Sequence, residues 1–316
     1  MKNKRFVFLF PGQGAQFVGM MKDFHDTFAE SRQVFEEAED VLKMSLKPII
    51  FNGPKEVLTQ TVNCQKAIFI SSYAILKAFE SRLPECIPQA TCGLSLGEYT
   101  ALAASGKARF SDLLPIVDKR ATFMQKACEK TPSSMSVVLG QEGPWVEEVL
   151  RSTGLPVWVA NLNCPGQVVI AGEIEPLAKA AVALKEAGAK RVLPLEVSGA
   201  FHTPLMESAK QALAPYLEDL KLQPSSTALV MNATGQLVKE AEEIRQLLIE
   251  QVTSPVYWAK GIQQLAPTTD IFIEMGPGNT LAGMNKRIGV EAPTYSIQTT
   301  SELTTVLNTI EESYAT

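Results

Sequence analysis

Short apolar runs alternate with longer amphipathic segments along the chain. A fully apolar run at residues 6–10 stops at Pro11-Gly12, which is typical of a buried strand followed by a loop. Residues 26–44 combine acidic positions with apolar positions at helical spacing, which predicts an amphipathic helix. The pattern predicts strands at 5–10, 89–92 and 271–274 and helices at 26–44, 65–82, 98–105 and 112–130. Strands that alternate with helices predict an α/β fold.

The middle of the chain has a different order of elements. Strand patterns at 134–140, 156–163, 167–172 and 190–195 enclose helix patterns at 144–152 and 175–188. This order is β-α-β-β-α-β, the ferredoxin-like pattern. We therefore expect a small inserted domain at residues 129–197 and a large α/β domain made of residues 1–128 and 198–316.

Composition and charge exclude several classes of protein. The 316 residues are 46% hydrophobic and have a formal net charge of −5, values that exclude intrinsic disorder. We expect no nucleic-acid partner, because binding phosphates needs clustered basic residues. The apolar run at 6–10 is far shorter than the roughly 20 residues of a membrane helix or the roughly 7–15 of a signal core. We therefore expect no membrane association and a cytoplasmic location.

Cysteine and histidine counts narrow the possible chemistry. The five cysteines are scattered without a C-x-x-C pair, so neither a disulfide framework nor a cysteine-rich zinc site is expected. With only two histidines, a reaction that needs an imidazole has His25 and His202 as its candidates.

The strongest local signal is the G-x-S-x-G pattern at residues 93–97. It lies between a predicted strand and a predicted helix, which is the context of a nucleophile elbow. There the Ser95 hydroxyl is exposed at a helix N-terminus, beside backbone N–H groups that can bind an oxyanion. Ser95 is therefore the predicted nucleophile.

A serine hydroxyl needs a base to become a good nucleophile. His202 lies in a loop-like segment, whereas His25 begins an amphipathic helix between two acidic residues, so His202 is the predicted base. Asp112 and Asp118 are poorly placed for a third triad member. A backbone carbonyl can orient an imidazole by accepting from Nδ1–H, so we expect a Ser–His dyad without a carboxylate.

Two further features have more than one interpretation. The glycines at 12, 14 and 19 do not have the G-x-G-x-x-G spacing, so a nucleotide cofactor is not supported and no cofactor is expected. A backbone N–H of this loop could instead form half of an oxyanion hole. Arg120 is either a surface cation of its helix or a clamp for a substrate carboxylate, and the sequence pattern alone does not decide between them.

Taken together, these segments resemble the malonyl-CoA:acyl carrier protein transacylase family. The resemblance rests on six motifs that occur in family order over residues 5–290. They are F-P-G-Q-G-A-Q at 10–16, G-L-S-L-G-E-Y at 93–99, Arg120 with F-M-Q at 123–125, N-L-N-C-P-G-Q-V-V-I-A-G at 161–172, G-A-F-H at 199–202 and G-P-G at 276–278. The fold that the resemblance implies is an α/β-hydrolase-like large domain with a ferredoxin-like insert.

The resemblance also implies an activity. Ser95 would take a malonyl group from coenzyme A as an ester and pass it to the phosphopantetheine thiol of holo-acyl carrier protein in fatty acid synthesis. Coenzyme A and phosphopantetheine are then substrate carriers, and no metal takes part. His202 would be the base, and we expect a monomer.

The same resemblance assigns roles to residues around the dyad. The N–H groups of Gln13 and Leu96 would form the oxyanion hole, and Arg120 would pair with the malonyl carboxylate. Met124 and Phe201 would line the acyl pocket, and Asn163 would lie near the cleft.

Two departures from the family pattern stand out. Leu94 occupies a position where the family usually has His. Residues 255–258 read P-V-Y-W where the family often has P-V-Q-W, and the Tyr257 carbonyl is the expected partner of the catalytic His. Three alternatives remain: a serine esterase or thioesterase, a polyketide acyltransferase acting in trans, and a silent acyl-CoA-binding module.

Overall fold

Two sheets organise the chain. The computed structural model describes residues 4–315, with side chains described through residue 312. The strands are β1 (Phe6–Phe10), β2 (Ala90–Gly93), β3 (Ser133–Leu139), β4 (Val157–Cys164), β5 (Gln167–Glu173), β6 (Arg191–Pro194), β7 (Ala228–Met231), β8 (Gln236–Val238), β9 (Ile271–Met275) and β10 (Thr294–Ile297).

Helices connect most of these strands. They are α1 (Lys22–Thr27), α2 (Ala29–Leu42), α3 (Lys47–Asn52), α4 (Lys55–Thr59), α5 (Thr61–Glu80), α6 (Gly97–Ala104), α7 (Phe110–Lys130), α8 (Gly143–Thr153), α9 (Ile174–Glu186), α10 (Glu207–Glu218), α11 (Ala241–Gln251), α12 (Trp258–Leu265), α13 (Thr280–Ile288) and α14 (Thr300–Ala315). None of the described helices is both long enough and apolar enough to cross a membrane.

The larger sheet has the strand order β10-β9-β1-β2-β7-β8, and its strands pair in parallel except for β8. Strand β1 is buried at every position because both faces of the sheet are covered. Phe8 packs into a core with α2, α5 and α7, whereas Leu9 packs against α12 and α13. Successive side chains of a strand point to opposite faces, so one apolar run serves both cores.

The smaller sheet is antiparallel, with the order β4-β5-β3-β6. Together with α8 and α9 it forms the β-α-β-β-α-β unit expected from the sequence. Val138 faces α8 and α9, while its neighbour Val137 joins the core of the larger unit. The predicted fold class, an α/β-hydrolase-like domain with a ferredoxin-like insert, is confirmed. The boundary at residue 129 stays a prediction, and it falls in the last turn of α7.

Some expectations about single elements were wrong. The helix expected at 26–44 is two helices, because Phe28 has extended backbone angles (φ −111°, ψ 125°) and ends α1 before α2 begins. The sequence pattern also missed β7, β8 and β10, each of only three or four residues. Strands this short contain too few residues for a period of two to stand out.

Candidate active site

The G-x-S-x-G segment forms the sharp strand-to-helix turn that its pattern predicts. Strand β2 ends at Gly93, α6 begins at Gly97, and Ser95 between them has a left-handed φ of 53°. A Cβ atom on Gly93 would lie 1.9 Å from the carbonyl carbon of Gly97. Only glycine allows this close approach, so the two glycines set the turn that exposes the Ser95 hydroxyl.

The Ser95 hydroxyl meets His202, although the two residues are far apart in sequence. Ser95 Oγ lies 2.8 Å from His202 Nε2, and His202 Nδ1 lies 2.8 Å from the carbonyl oxygen of Gln251. A carbonyl only accepts, so Nδ1 holds the proton and Nε2 presents its lone pair to the hydroxyl. The expectation for Tyr257 was wrong, because His202 Nδ1 donates to the Gln251 carbonyl instead. The Tyr257 carbonyl accepts from the N–H of Gly261 in the first turn of α12.

His202 is set up to act as a neutral base. Its side chain is buried and its backbone has a left-handed φ of 62°, so the surrounding fold holds it in an uncommon conformation. Burial, and then the positive charge of Arg120, lower the pKa of His202 to about 4. The imidazole is therefore uncharged at neutral pH and can accept the Ser95 proton.

Arg120 is buried beside the nucleophile, which decides against the surface-cation interpretation. It is 1% exposed, and one guanidinium nitrogen donates to Gln65 Oε1. The other, Nη2, lies 2.9 Å from Gln251 Oε1 and 3.1 Å from Ser95 Oγ. In the described part of the chain all three hydrogen bonds thus go to neutral oxygens. A buried guanidinium held in this way is suited to bind a carboxylate from a ligand.

The side-chain amides of two buried residues, Asn232 and Gln251, bond the backbone of the turn that contains Ser95. Asn232 Oδ1 accepts the Ser95 N–H at 2.6 Å, and Asn232 Nδ2 donates to the Gly93 carbonyl at 2.7 Å. Gln251 Nε2 donates to the Ser95 carbonyl at 2.9 Å and to Glu98 Oε2 at 2.6 Å. Sequence reasoning missed these three supporting residues. Only Glu98 had a local signal, since it directly follows the G-x-S-x-G pattern.

A cavity of about 260 Å³ opens above the dyad, between the two sheets. Its wall includes every remaining residue that the sequence placed at the site: Gln13, Leu96, Met124, Phe201 and Asn163. The backbone N–H groups of Gln13 and Leu96 form no hydrogen bond to another part of residues 4–315, so they are available to an oxyanion. The amide oxygen of Asn163 is buried and has no partner within the same residues.

Comparison with known proteins places the chain in a family. A family model described as an acyl transferase domain matches residues 7–301. A malonyl CoA-acyl carrier protein transacylase from Bacillus subtilis is 36% identical over 312 residues, which cover 98% of each chain. One of the same name from Escherichia coli is 34% identical, over 90% of this chain and 93% of the relative.

Solved structures agree with these relatives. A malonyl CoA-acyl carrier protein transacylase from Clostridium perfringens has a TM-score of 0.92 at 35% identity, over 98% of each chain. A holo complex of a type II PKS acyl-carrier protein with its malonyl-transacylase matches with a TM-score of 0.91 at 34% identity, over 97% of this chain and 100% of that one. The protein is therefore an acyltransferase, and the chain belongs to the acyl transferase family as one of the malonyl CoA-acyl carrier protein transacylases.

Proposed function

We propose that the protein transfers a malonyl group from coenzyme A to the phosphopantetheine thiol of acyl carrier protein in fatty acid synthesis. The observation that carries the proposal is the buried guanidinium of Arg120, 3.1 Å from the Ser95 hydroxyl and hydrogen-bonded only to neutral oxygens within the described residues. A malonyl thioester has a free carboxylate next to its reacting carbonyl. The named activities of the relatives support the same substrate and acceptor.

In the first half of the reaction, Ser95 is acylated. His202 Nε2 takes the hydroxyl proton while Oγ attacks the thioester carbonyl, and the N–H groups of Gln13 and Leu96 stabilise the oxyanion. The carbon–sulfur bond then breaks, and the coenzyme A thiolate leaves with the proton from His202. The product is a malonyl ester of Ser95.

The second half reverses these roles with a different thiol. The phosphopantetheine thiol gives its proton to His202, and the sulfur attacks the ester carbonyl. The bond from the carbonyl carbon to Ser95 Oγ breaks, and Oγ recovers the proton. A Ser–His dyad is enough for both halves, because the Gln251 carbonyl holds the imidazole orientation that a carboxylate holds in a triad.

The cavity wall accounts for substrate selection. Arg120 fixes the malonyl carboxylate, while Met124 and Phe201 form apolar surface around the acyl chain. A bulky ring at Phe201 leaves little room for a substituent on the malonyl α-carbon. Excluding one methyl group in this way discriminates between substrates by about 1–3 kcal/mol. Asn163 also lines the cavity, near the place that the thioester must occupy.

The remaining parts of the proposal concern the setting of the reaction. No cofactor is required, because Ser95 and His202 provide the nucleophile and the base from the chain itself. We propose that the enzyme works as a monomer in the cytoplasm, on malonyl-CoA and holo-acyl carrier protein, without membrane or nucleic-acid partners. The composition and the short apolar runs of the sequence support this setting.

Intact mass spectrometry tests the proposal directly. Mixing the protein with malonyl-CoA should add one malonyl group, and adding holo-acyl carrier protein should move that group onto the carrier. Ser95→Ala should gain no mass, while Ser111→Ala, a serine outside the cavity, should behave as wild type. Loss of the adduct to water without carrier acylation would indicate a thioesterase. Absence of any adduct on folded protein would indicate a silent binding module.

A further inference from the structure

A carboxyl group is buried directly beneath the catalytic elbow. Glu98 is the second residue of α6, is 0% exposed and lies outside the cavity wall. Its Oε1 accepts the backbone N–H of Asn232, and its Oε2 accepts the side-chain N–H of Gln251 at 2.6 Å. Both oxygens of the carboxyl group are therefore used, each on a different neighbour.

The first neighbour holds the nucleophile. Through its side-chain amide, Asn232 bonds the Ser95 N–H at 2.6 Å and the Gly93 carbonyl at 2.7 Å. These two bonds span the turn in which Ser95 has its left-handed backbone. The position of Asn232 therefore sets the position of Ser95 Oγ.

The second neighbour holds the base and the guanidinium at the same time. The main-chain carbonyl of Gln251 fixes His202 Nδ1 at 2.8 Å, and its side-chain Oε1 holds Arg120 Nη2 at 2.9 Å. Its Nε2 has two acceptors, the Ser95 carbonyl and Glu98. A shift of Gln251 would therefore move His202 and Arg120 together.

We propose that Glu98 is a positioning residue that aligns Ser95, His202 and Arg120 through Asn232 and Gln251. The geometry requires two acceptors at this place, since both partners of Glu98 are N–H donors. A glutamine of the same size would offer one acceptor and one NH₂ group, and the NH₂ group would face a donor. A buried donor left without an acceptor is costly, so one of the two neighbours would have to move.

Two influences on Glu98 act in opposite directions, and only its hydrogen bonds and the charge of Arg120 favour the ionised form that accepts from both neighbours. Burial raises the pKa of Glu98 to about 8, against the lowering effects of the N–H groups of Asn232 and Gln251 and of the charge of Arg120. A carboxyl group is costly to bury, so two hydrogen bonds to residues that hold the site give it a structural reason to be there. The effect on transfer rates rests on the proposed malonyl transfer, whereas the effect on the orientation of His202 does not.

The test compares Glu98→Gln with wild type and with Glu147→Gln, a matched change at an exposed position of α8. Circular dichroism and chemical denaturation give the folded fraction, to which all rates are normalised. We expect malonyl transfer to fall about 10- to 100-fold in Glu98→Gln, the factor for one buried donor left unsatisfied. Acetyl transfer should fall less, because it does not need Arg120 in place. Glu147→Gln should match wild type in both.

A spectroscopic readout separates positioning from a general loss of packing. The chain has only two histidines, so His25→Gln assigns the ring nitrogens of His202 in ¹⁵N spectra without ambiguity. Wild type should show Nδ1 protonated, because Nδ1 faces the Gln251 carbonyl. In Glu98→Gln the population of this tautomer should decrease.

Two outcomes in folded Glu98→Gln would overturn the inference. One is an unchanged tautomer, and the other is an unchanged ratio of malonyl to acetyl transfer, whether neither rate falls or both fall equally. If that variant does not fold, Glu98→Asp keeps two acceptor oxygens on a shorter side chain, and the same changes should appear to a smaller extent. A wild-type protein that cannot transfer malonyl would refute the proposed function, while the tautomer comparison would still test Glu98.

Discussion

Replacing Arg120 with alanine should separate malonyl transfer from acetyl transfer. The guanidinium is 1% exposed, and its hydrogen bonds to Gln65, Gln251 and Ser95 fix its position before any ligand arrives. A malonyl carboxylate in this site would gain a charged, desolvated partner. An acetyl group has no carboxylate and gains nothing from it.

The magnitude follows from what Arg120→Ala leaves behind. Removing one partner of a buried ion pair costs about 3–5 kcal/mol, because the other charge stays buried without compensation. We therefore expect kcat/KM for malonyl-CoA to fall about 150- to 5,000-fold. Acetyl transfer loses only the support that Arg120 gives to Gln251 and Ser95. Two lost hydrogen bonds of about 1 kcal/mol each correspond to a loss of at most about 30-fold.

The assay is acylation of holo-acyl carrier protein from malonyl-CoA and from acetyl-CoA, each measured as kcat/KM on the same preparation. Lys126→Ala provides the control, since it removes an exposed cation from the same helix, α7. The deciding quantity is the ratio of the two substrates, which cancels any general loss of active protein. Equal losses for malonyl and acetyl would refute the role of Arg120 as a carboxylate clamp.

Three further predictions test the base, the elbow and the absence of a cofactor. With the pKa of His202 lowered to about 4, the base stays neutral in weak acid, so the rate of Ser95 acylation at pH 5.5 should stay within about twofold of that at pH 7.5. A tenfold loss, about that of a histidine with its ordinary pKa near 6.5, would contradict this. Gly97→Ala should lower the free energy of unfolding by about 3 kcal/mol or more, because its Cβ would lie 2.2 Å from the Phe10 carbonyl oxygen. Gly283→Ala in α13, where a Cβ meets nothing within 4 Å, should raise it by up to about 1 kcal/mol in the same chemical denaturation experiment. Exhaustive dialysis against a chelator should leave malonyl transfer unchanged, and restoration of lost activity by an added metal ion would refute the cofactor-free reaction.

The local chemistry of the site could be predicted because it is recorded in neighbouring residues. The spacing of Gly93, Ser95 and Gly97 is typical of one particular strand-to-helix turn, and in that turn the serine hydroxyl is exposed. Because the sequence has only two histidines, His202 was left as the predicted base. The β-α-β-β-α-β order was readable for a similar reason, since five of its six elements have seven or more residues and are long enough to express their own period.

The partners of these residues could not be predicted in the same way. The sequence pattern left Arg120 open between a surface cation and a buried clamp, because an arginine on a helix has the same local pattern in both cases. The expected partner of His202 was Tyr257, but the carbonyl of Gln251 at the end of α11 accepts from the imidazole instead. Helix α12 uses the Tyr257 carbonyl for its own first turn.

The sequence by itself indicated Ser95 and His202 as the candidate nucleophile and base, and it determined the α/β class and the inserted unit, because turn chemistry and hydrophobic period act over a few residues. Only the tertiary structure decided which groups position the site residues through hydrogen bonds. Arg120 bonds to Gln65 and Gln251, and Glu98 bonds to Asn232 and Gln251, across separations of 55 to 153 residues. Hydrogen bonds over such distances depend on the path of the whole chain, and no local pattern records that path.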